Sequence, residues 1–188
     1  TPPAAFSYSL VPRKRSDSLL EYGQRLHRSE LQRLKMKHRA GMGGREVTLY
    51  RSELLDHLVR EMYAESIAKD ATSQNNTAVI AIGGYGRREL APFSDVDLMF
   101  LVKSRRSQKE AQQIQFMLCL LWDMGLQVGH SVRTLKEALQ MGNEDLVSLN
   151  SMLDARLLAG SQEHYEEFEG KLSLAVKRNR KSIVDKML

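Results

Sequence analysis

The chain has 188 residues, 42% of them apolar and 27% charged, with a formal net charge of +5. That balance fits one globular domain with a core of ordinary size and excludes disordered, collagenous and disulfide-scaffold classes. A single cysteine, Cys119, excludes an internal disulfide, and no apolar run approaches the ~20 residues of a membrane-spanning helix. Cys119 lies in the apolar run Phe116-Met117-Leu118-Cys119-Leu120-Leu121 and is expected as a buried thiol. With no secretory signal in view, a reducing cytoplasm is the expected setting.

In chain order, residues 1–15 hold three of the four prolines and read as an irregular arm. Residues 16–72 form a helical N-terminal extension. Asp17 is the expected N-cap, and Leu19, Tyr22, Leu26, Leu31 and Leu34 recur at helical spacing up to the breaker Gly41-Met42-Gly43-Gly44. A second helix runs from Val47 to about Asp70 on Leu54, Leu55, Leu58, Val59, Met62 and Ile67. Basic residues crowd Pro12–Arg39 and again Lys171–Lys186. Such runs can carry nucleic acid, but Asp17, Glu21 and Glu30 interrupt the first and aromatic residues are sparse there. A solvated helix face is therefore expected, nucleic acid is not the expected partner, and the positive field still favours an anionic nucleotide.

Residues 73–160 read as the core of the molecule. After a polar loop to Thr77, Ala78 to Ile82 is a first strand, and Gly83-Gly84-Tyr85-Gly86 is a tight turn that starts a short helix over Tyr85–Leu90. The run from Asp95 to Val102 is a second strand, in which Asp95 and Asp97 share one face while Val96 and Leu98 enter the core. Lys103–Ser107 is a basic loop, and Gln108–Met124 a helix with Ile114, Met117, Leu118 and Leu121 inside, stopped by Gly125. Leu126–Thr134 is a third strand, so strand, helix and strand suggest a right-handed crossover. Asn143 is the expected N-cap of a further helix stepping through Leu146, Leu149, Leu153 and Leu157 to a stop at Gly160. Ser161 then caps a C-terminal helix over 161–188. The fold class is α/β (α+β): a small mixed sheet with helices packed around it.

The chemistry concentrates between the first two strands. Two carboxylates side by side repel, so one titrates high unless a cation lies between them. Mg²⁺ (or Mn²⁺) suits the pair, since it takes oxygen ligands through one or two carboxylates plus substrate phosphates. The glycine turn supplies the complement, because N–H groups at a helix start favour anions and Arg87 and Arg88 add charge. Gly83, Gly84, Tyr85, Gly86, Arg87 and Arg88 are thus candidate nucleotide-binding residues, with Asp95 and Asp97 as metal ligands. Ser94 either donates to phosphate or a metal-bound water, or caps its own turn. Glu89 is expected to pair with an arginine. The missing later glycine and Gly-Lys-Ser/Thr ending exclude a dinucleotide fingerprint and a P-loop.

Gly83-Gly84, followed eleven residues later by Asp95-x-Asp97 in an apolar strand, resembles the nucleotidyltransferase superfamily typified by DNA polymerase beta. The string from Gly83 to Leu98, with Trp122–Thr134 and Leu153–Gly160, is similar to the N-terminal catalytic domain of the bacterial PII-protein uridylyltransferase family. The resemblance runs in order from roughly His38 to Gly160. It implies a metal-dependent transfer of UMP from UTP to a tyrosine hydroxyl of a PII-type signalling protein, in nitrogen control. Members of the superfamily usually carry a third carboxylate, acting as general base, on the strand beside the aspartate pair. The corresponding run, Leu126–Thr134, has no Asp or Glu. Asp154, expected on a helix, and His130 are the substitutes open at this point, beside catalysis by two metals and positioning alone or an impaired domain; Arg133 is a further nucleotide-binding candidate on the same strand. Two alternatives remain beside the main reading: transfer of AMP or another nucleotide to a different acceptor, and a nucleotide-binding regulatory domain without turnover.

Overall fold

The computed structural model describes residue 13 and residues 17–68, 77–104 and 108–178. The predicted arm apart from Arg13, most of the polar loop at 73–77, part of the basic loop at 103–107 and the chain after 178 lie outside the described residues.

The elements are α1 (Leu19–Arg39), α2 (Gly44–Ala68), β1 (Ala78–Ala81), α3 (Gly83–Gly86), β2 (Val96–Val102), α4 (Gln108–Asp123), β3 (Val128–Thr134), α5 (Leu135–Glu144), α6 (Leu146–Leu153), β4 (Arg156–Gly160) and α7 (Gln162–Arg178). The strands form one mixed sheet in the order β3-β2-β1-β4. β1 is antiparallel to both β2 and β4, and β2 is parallel to β3, with α4 making the crossover.

Strand alternation gives the sheet two apolar faces. Val79, Ala81, Val96, Leu98, Phe100 and Val102 meet α1, α2 and α4 in the larger core. Ala78, Ile80, Met99 and Leu101 meet Ala138, Leu149, Met152, Phe168 and Leu172 from α5, α6 and α7. Asp97 falls in the second set by parity, at the end of the strand where the apolar filling stops.

Local chemistry sets the boundaries. α1 begins at Ser18 rather than Asp17: the Glu21 N–H donates to Ser18 Oγ (3.2 Å) and the Ser18 N–H to Glu21 Oε2 (2.9 Å), a reciprocal capping box. Asp17 instead pairs with Arg25 (2.8 Å). Gly41, at φ +103°, takes the left-handed turn after the helix.

The largest correction falls between residues 135 and 160. A helix not foreseen, α5, starts at a second capping box, Thr134 with Glu137, and Asn143 lies inside its last turn. The N-cap of α6 is Asp145, which accepts from the N–H groups of Val147 (3.3 Å) and Ser148 (2.8 Å). α6 stops at Leu153 and the next residues form β4, because the edge of β1 offers ladder partners that override the helical spacing of Leu153 and Leu157. Cys119 is also corrected: it is exposed, one residue round the helix from Leu118, with its sulfur accepting from Gln115 Nε2 at 3.3 Å.

Candidate active site

β1 ends at Ala81, and the chain turns at Gly83, whose φ of +58° is a left-handed conformation that suits a residue without a Cβ. The single turn α3 follows. The Ile82 N–H donates to the Asp97 carbonyl (3.2 Å), so the bend is stitched to the start of β2 at the level of the candidate acids. Asp95 is exposed and stands just before the strand, while Asp97 is its second residue and half-buried.

Asp97 points at the bend. Its Oδ2 lies 3.8 Å from where a Cβ on Gly83 would stand. On its other side it meets Gly129, its partner in the β2–β3 register; a Cβ there would collide with Asp97 Oδ1. Burial, and then the charge of Asp95, push the Asp97 carboxyl above the ordinary carboxylate range.

A pocket of about 240 Å³ opens beside Asp97. β3 lines it with Ser131 and Arg133, and α6 lines it with Val147, Ser148 and Ser151. Ser131 and Arg133 share the parity of Gly129 and hence the Asp97 face. His130 has the opposite parity and packs edge-on against Trp122, 5.8 Å between ring centroids, on the α4 side. The structure therefore brings Asp97, the glycine bend and Arg133 together; His130 also borders the pocket, with its ring packed on Trp122.

The other sequence candidates distribute as follows. The Tyr85 side chain is buried, and burial followed by the nearby charge of Asp56 pushes its phenol well above the ordinary value. Arg87 Nε donates to Glu89 Oε2 (2.8 Å), as expected of Glu89, and its Nη1 pairs with Asp154. Asp154 caps the end of α6 and lies in the connection to β4, not on a helix. Arg88, at φ +61°, has its guanidinium 4.0 Å from Glu53. Ser94 Oγ donates to the Ala91 carbonyl (2.9 Å), closing its own turn. Gly86 is needed for close approach, since a Cβ would strike the Asp154 backbone carbonyl.

Three residues that sequence reasoning did not single out, Arg156, Asp56 and Ser52, hold this geometry. Arg156, on β4, bonds both Asp56 oxygens (2.6 and 3.0 Å) and donates to the carbonyls of Gly86 and Tyr85 (3.1 Å each). Its guanidinium also lies over the Tyr85 ring, 5.6 Å from the centroid. Asp56 is 2% exposed, so this bidentate pair is a mostly buried fastening of the bend to α2 and β4. Ser52 adds a third tie, accepting from the Leu90 N–H at 3.3 Å. The sequence signal available was a charged residue inside each apolar run.

The donor chemistry fits a hard cation: two carboxylates, one half-buried with a raised pKa, beside a phosphate-sized space. Among the described residues no group of three or more His, Cys, Asp and Glu is placed to hold a metal. A pair suffices for Mg²⁺ only when substrate phosphates complete the shell.

Comparison with known proteins agrees with this geometry. Residues 47–124 match the family described as GlnE, glutamate-ammonia ligase adenylyltransferase. With the fold and the aspartate strand, this places the chain among the nucleotidyltransferases. Within that class its sequence is similar to the bifunctional uridylyltransferase/uridylyl-removing enzymes. It is 38% identical to that of Phenylobacterium zucineum over 149 residues, 77% of this chain and 15% of the relative. For Nitrosospira multiformis the figures are 34% over 161 residues, 82% and 18%. For Erythrobacter litoralis they are 40% over 129 residues, 66% and 14%. The chain thus spans less than a fifth of the length of these relatives. A solved toxin–antitoxin structure with AMP-PNP covers 68% of this chain at a TM-score of 0.41 and 14% identity, too distant a likeness to carry a functional inference. No helix among the described residues is long and apolar enough to cross a membrane.

Proposed function

We propose that the chain is the transfer domain of a uridylyltransferase, moving UMP from UTP to a hydroxyl of a PII-type signalling protein in the cytoplasm. The observation that carries the reading is the Asp97 carboxylate beside the Gly83 bend on the wall of a small pocket. Asp95 and Asp97 would hold Mg²⁺ or Mn²⁺, which when bound offsets charge on the α-phosphate and the departing pyrophosphate. The amides heading α3 have no helical carbonyl to meet and would donate to phosphate oxygens. Arg133 supplies the cationic side chain on the pocket wall, a role that Arg87 gives up to Glu89 and Asp154.

The acceptor hydroxyl attacks the α-phosphorus as the bond to the bridging oxygen of pyrophosphate breaks, and the hydroxyl proton leaves to solvent. Positioning and fixed charge do most of the work in such a transfer. Asp154, paired with Arg87, and His130, packed on Trp122, are not assigned as bases.

A second reading, adenylyl transfer from ATP, is favoured by the description of the family matched over residues 47–124. Incorporation of each labelled nucleoside triphosphate into a PII-type protein separates the two. Label from UTP alone supports the first, and label from ATP alone the second. Binding without incorporation of either would mark a regulatory domain. Asp95→Asn and Asp97→Asn should each abolish transfer with unchanged melting, and wild-type rates in either variant would refute the metal assignment.

A further inference from the structure

We propose that Ser151, on α6, is a nucleotide-contacting residue whose hydroxyl bonds a terminal phosphate oxygen opposite Asp97; this rests on the nucleotidyltransferase reading above. From the point where a Gly83 Cβ would stand, Asp97 Oδ2 is 3.8 Å away and Ser151 Oγ 4.0 Å. The acid and the hydroxyl therefore both border the space that a Gly83 side chain would enter, and the missing Cβ keeps that space open. Both line the same pocket of about 240 Å³. That volume is below the ~300–1,000 Å³ of a site enclosing a whole small-molecule ligand. It suits the phosphate end of a nucleotide with its cation, leaving the nucleoside outside.

The bend itself has no hydroxyl to offer. Tyr85 is buried and Ser94 is turned onto Ala91. Ser151 currently donates to the Val147 carbonyl in its own helix at 3.1 Å, a bond that a helical serine exchanges by rotating χ1. α6 is a firm mount, with Asp145 capping its start and Leu149 and Met152 buried on its inner side. A rotamer change at Ser151 would free its hydroxyl for the phosphate.

The test compares wild type, Ser151→Ala, Ser151→Thr and Asp97→Asn, measuring Mg²⁺-dependent affinity for UTP, ATP and UMP together with KM and kcat. Loss of one hydrogen bond to a charged group predicts a rise of about tenfold in Kd and KM for the triphosphate in Ser151→Ala. kcat should change less, UMP affinity should stay unchanged, and Ser151→Thr should restore binding. Wild-type triphosphate binding in Ser151→Ala, alongside an inactive Asp97→Asn, would overturn the assignment of Ser151 and leave the transferase reading standing. A wild-type protein that binds no triphosphate would overturn both.

Discussion

Asp97 shows how one residue can be both legible and incompletely legible. Its type and spacing were visible, as was the expectation that one acid of the pair titrates high. Which acid carries the shift was not, because it depends on Asp97 being half-buried while Asp95 stands outside the strand. A folded pKa raised above the unfolded one contributes stability below the ordinary carboxylate pKa. That contribution is lost as pH rises through the raised value. Asp95→Asn should lower the Asp97 pKa toward the ordinary value in an NMR titration of the metal-free protein; an unmoved midpoint would mean that the two charges do not couple. Two glycines give opposite outcomes at the same scale. At Gly129 a new Cβ meets only the far end of the Asp97 side chain. Gly129→Ala should therefore keep its melting temperature and lose transfer. At Gly86 the obstacle is the Asp154 backbone, so Gly86→Ala should cost about 1–3 kcal/mol in urea unfolding.

Among the elements, those that build the site from the front were readable and those that close it from behind were not. β1, the glycine bend, β2, α4 and β3 follow from apolar runs and breakers. The stretch from Leu135 to Gly160 did not, for two physical reasons. The Thr134–Glu137 capping box was present but lay against the end of a strand, where a helix start is easily overlooked. Leucines four apart at 149, 153 and 157 fit a helix, yet the unsatisfied edge of β1 captures the last of them as β4. The α6 wall depends on its cap. Hydrogen bonds from the backbone and side chain of Ser148 hold the Asp145 carboxyl below the ordinary carboxylate range. The stability from this group is present above that range and is lost as pH falls through the lowered value. Asp145→Asn should weaken this acid dependence, read as amide-exchange protection of α6 against pH; an unchanged profile would show that the cap does not govern the helix.

At the scale of the molecule, α1 and α2 share one apolar core with the sheet and α4. No local pattern announces this, because the ties join residues far apart in the chain. The Asp56–Arg156 pair spans 100 positions. Arg156→Gln removes the bidentate bonds and leaves Asp56 to the more distant Arg60 at 3.7 Å, so it should destabilise by about 1–3 kcal/mol in chemical unfolding. Combining it with Asp56→Asn should cost less than the two single changes together.

That long-range pair also constrains how far the protein can be trimmed. A truncated version beginning at Thr77 would keep every candidate ligand and yet leave the guanidinium beneath the glycine bend without its counter-ion. Such a version should bind nucleotide poorly unless the excised helices are supplied as a separate peptide. Recovery of activity on adding that peptide would show that the smallest working unit starts well before the first strand.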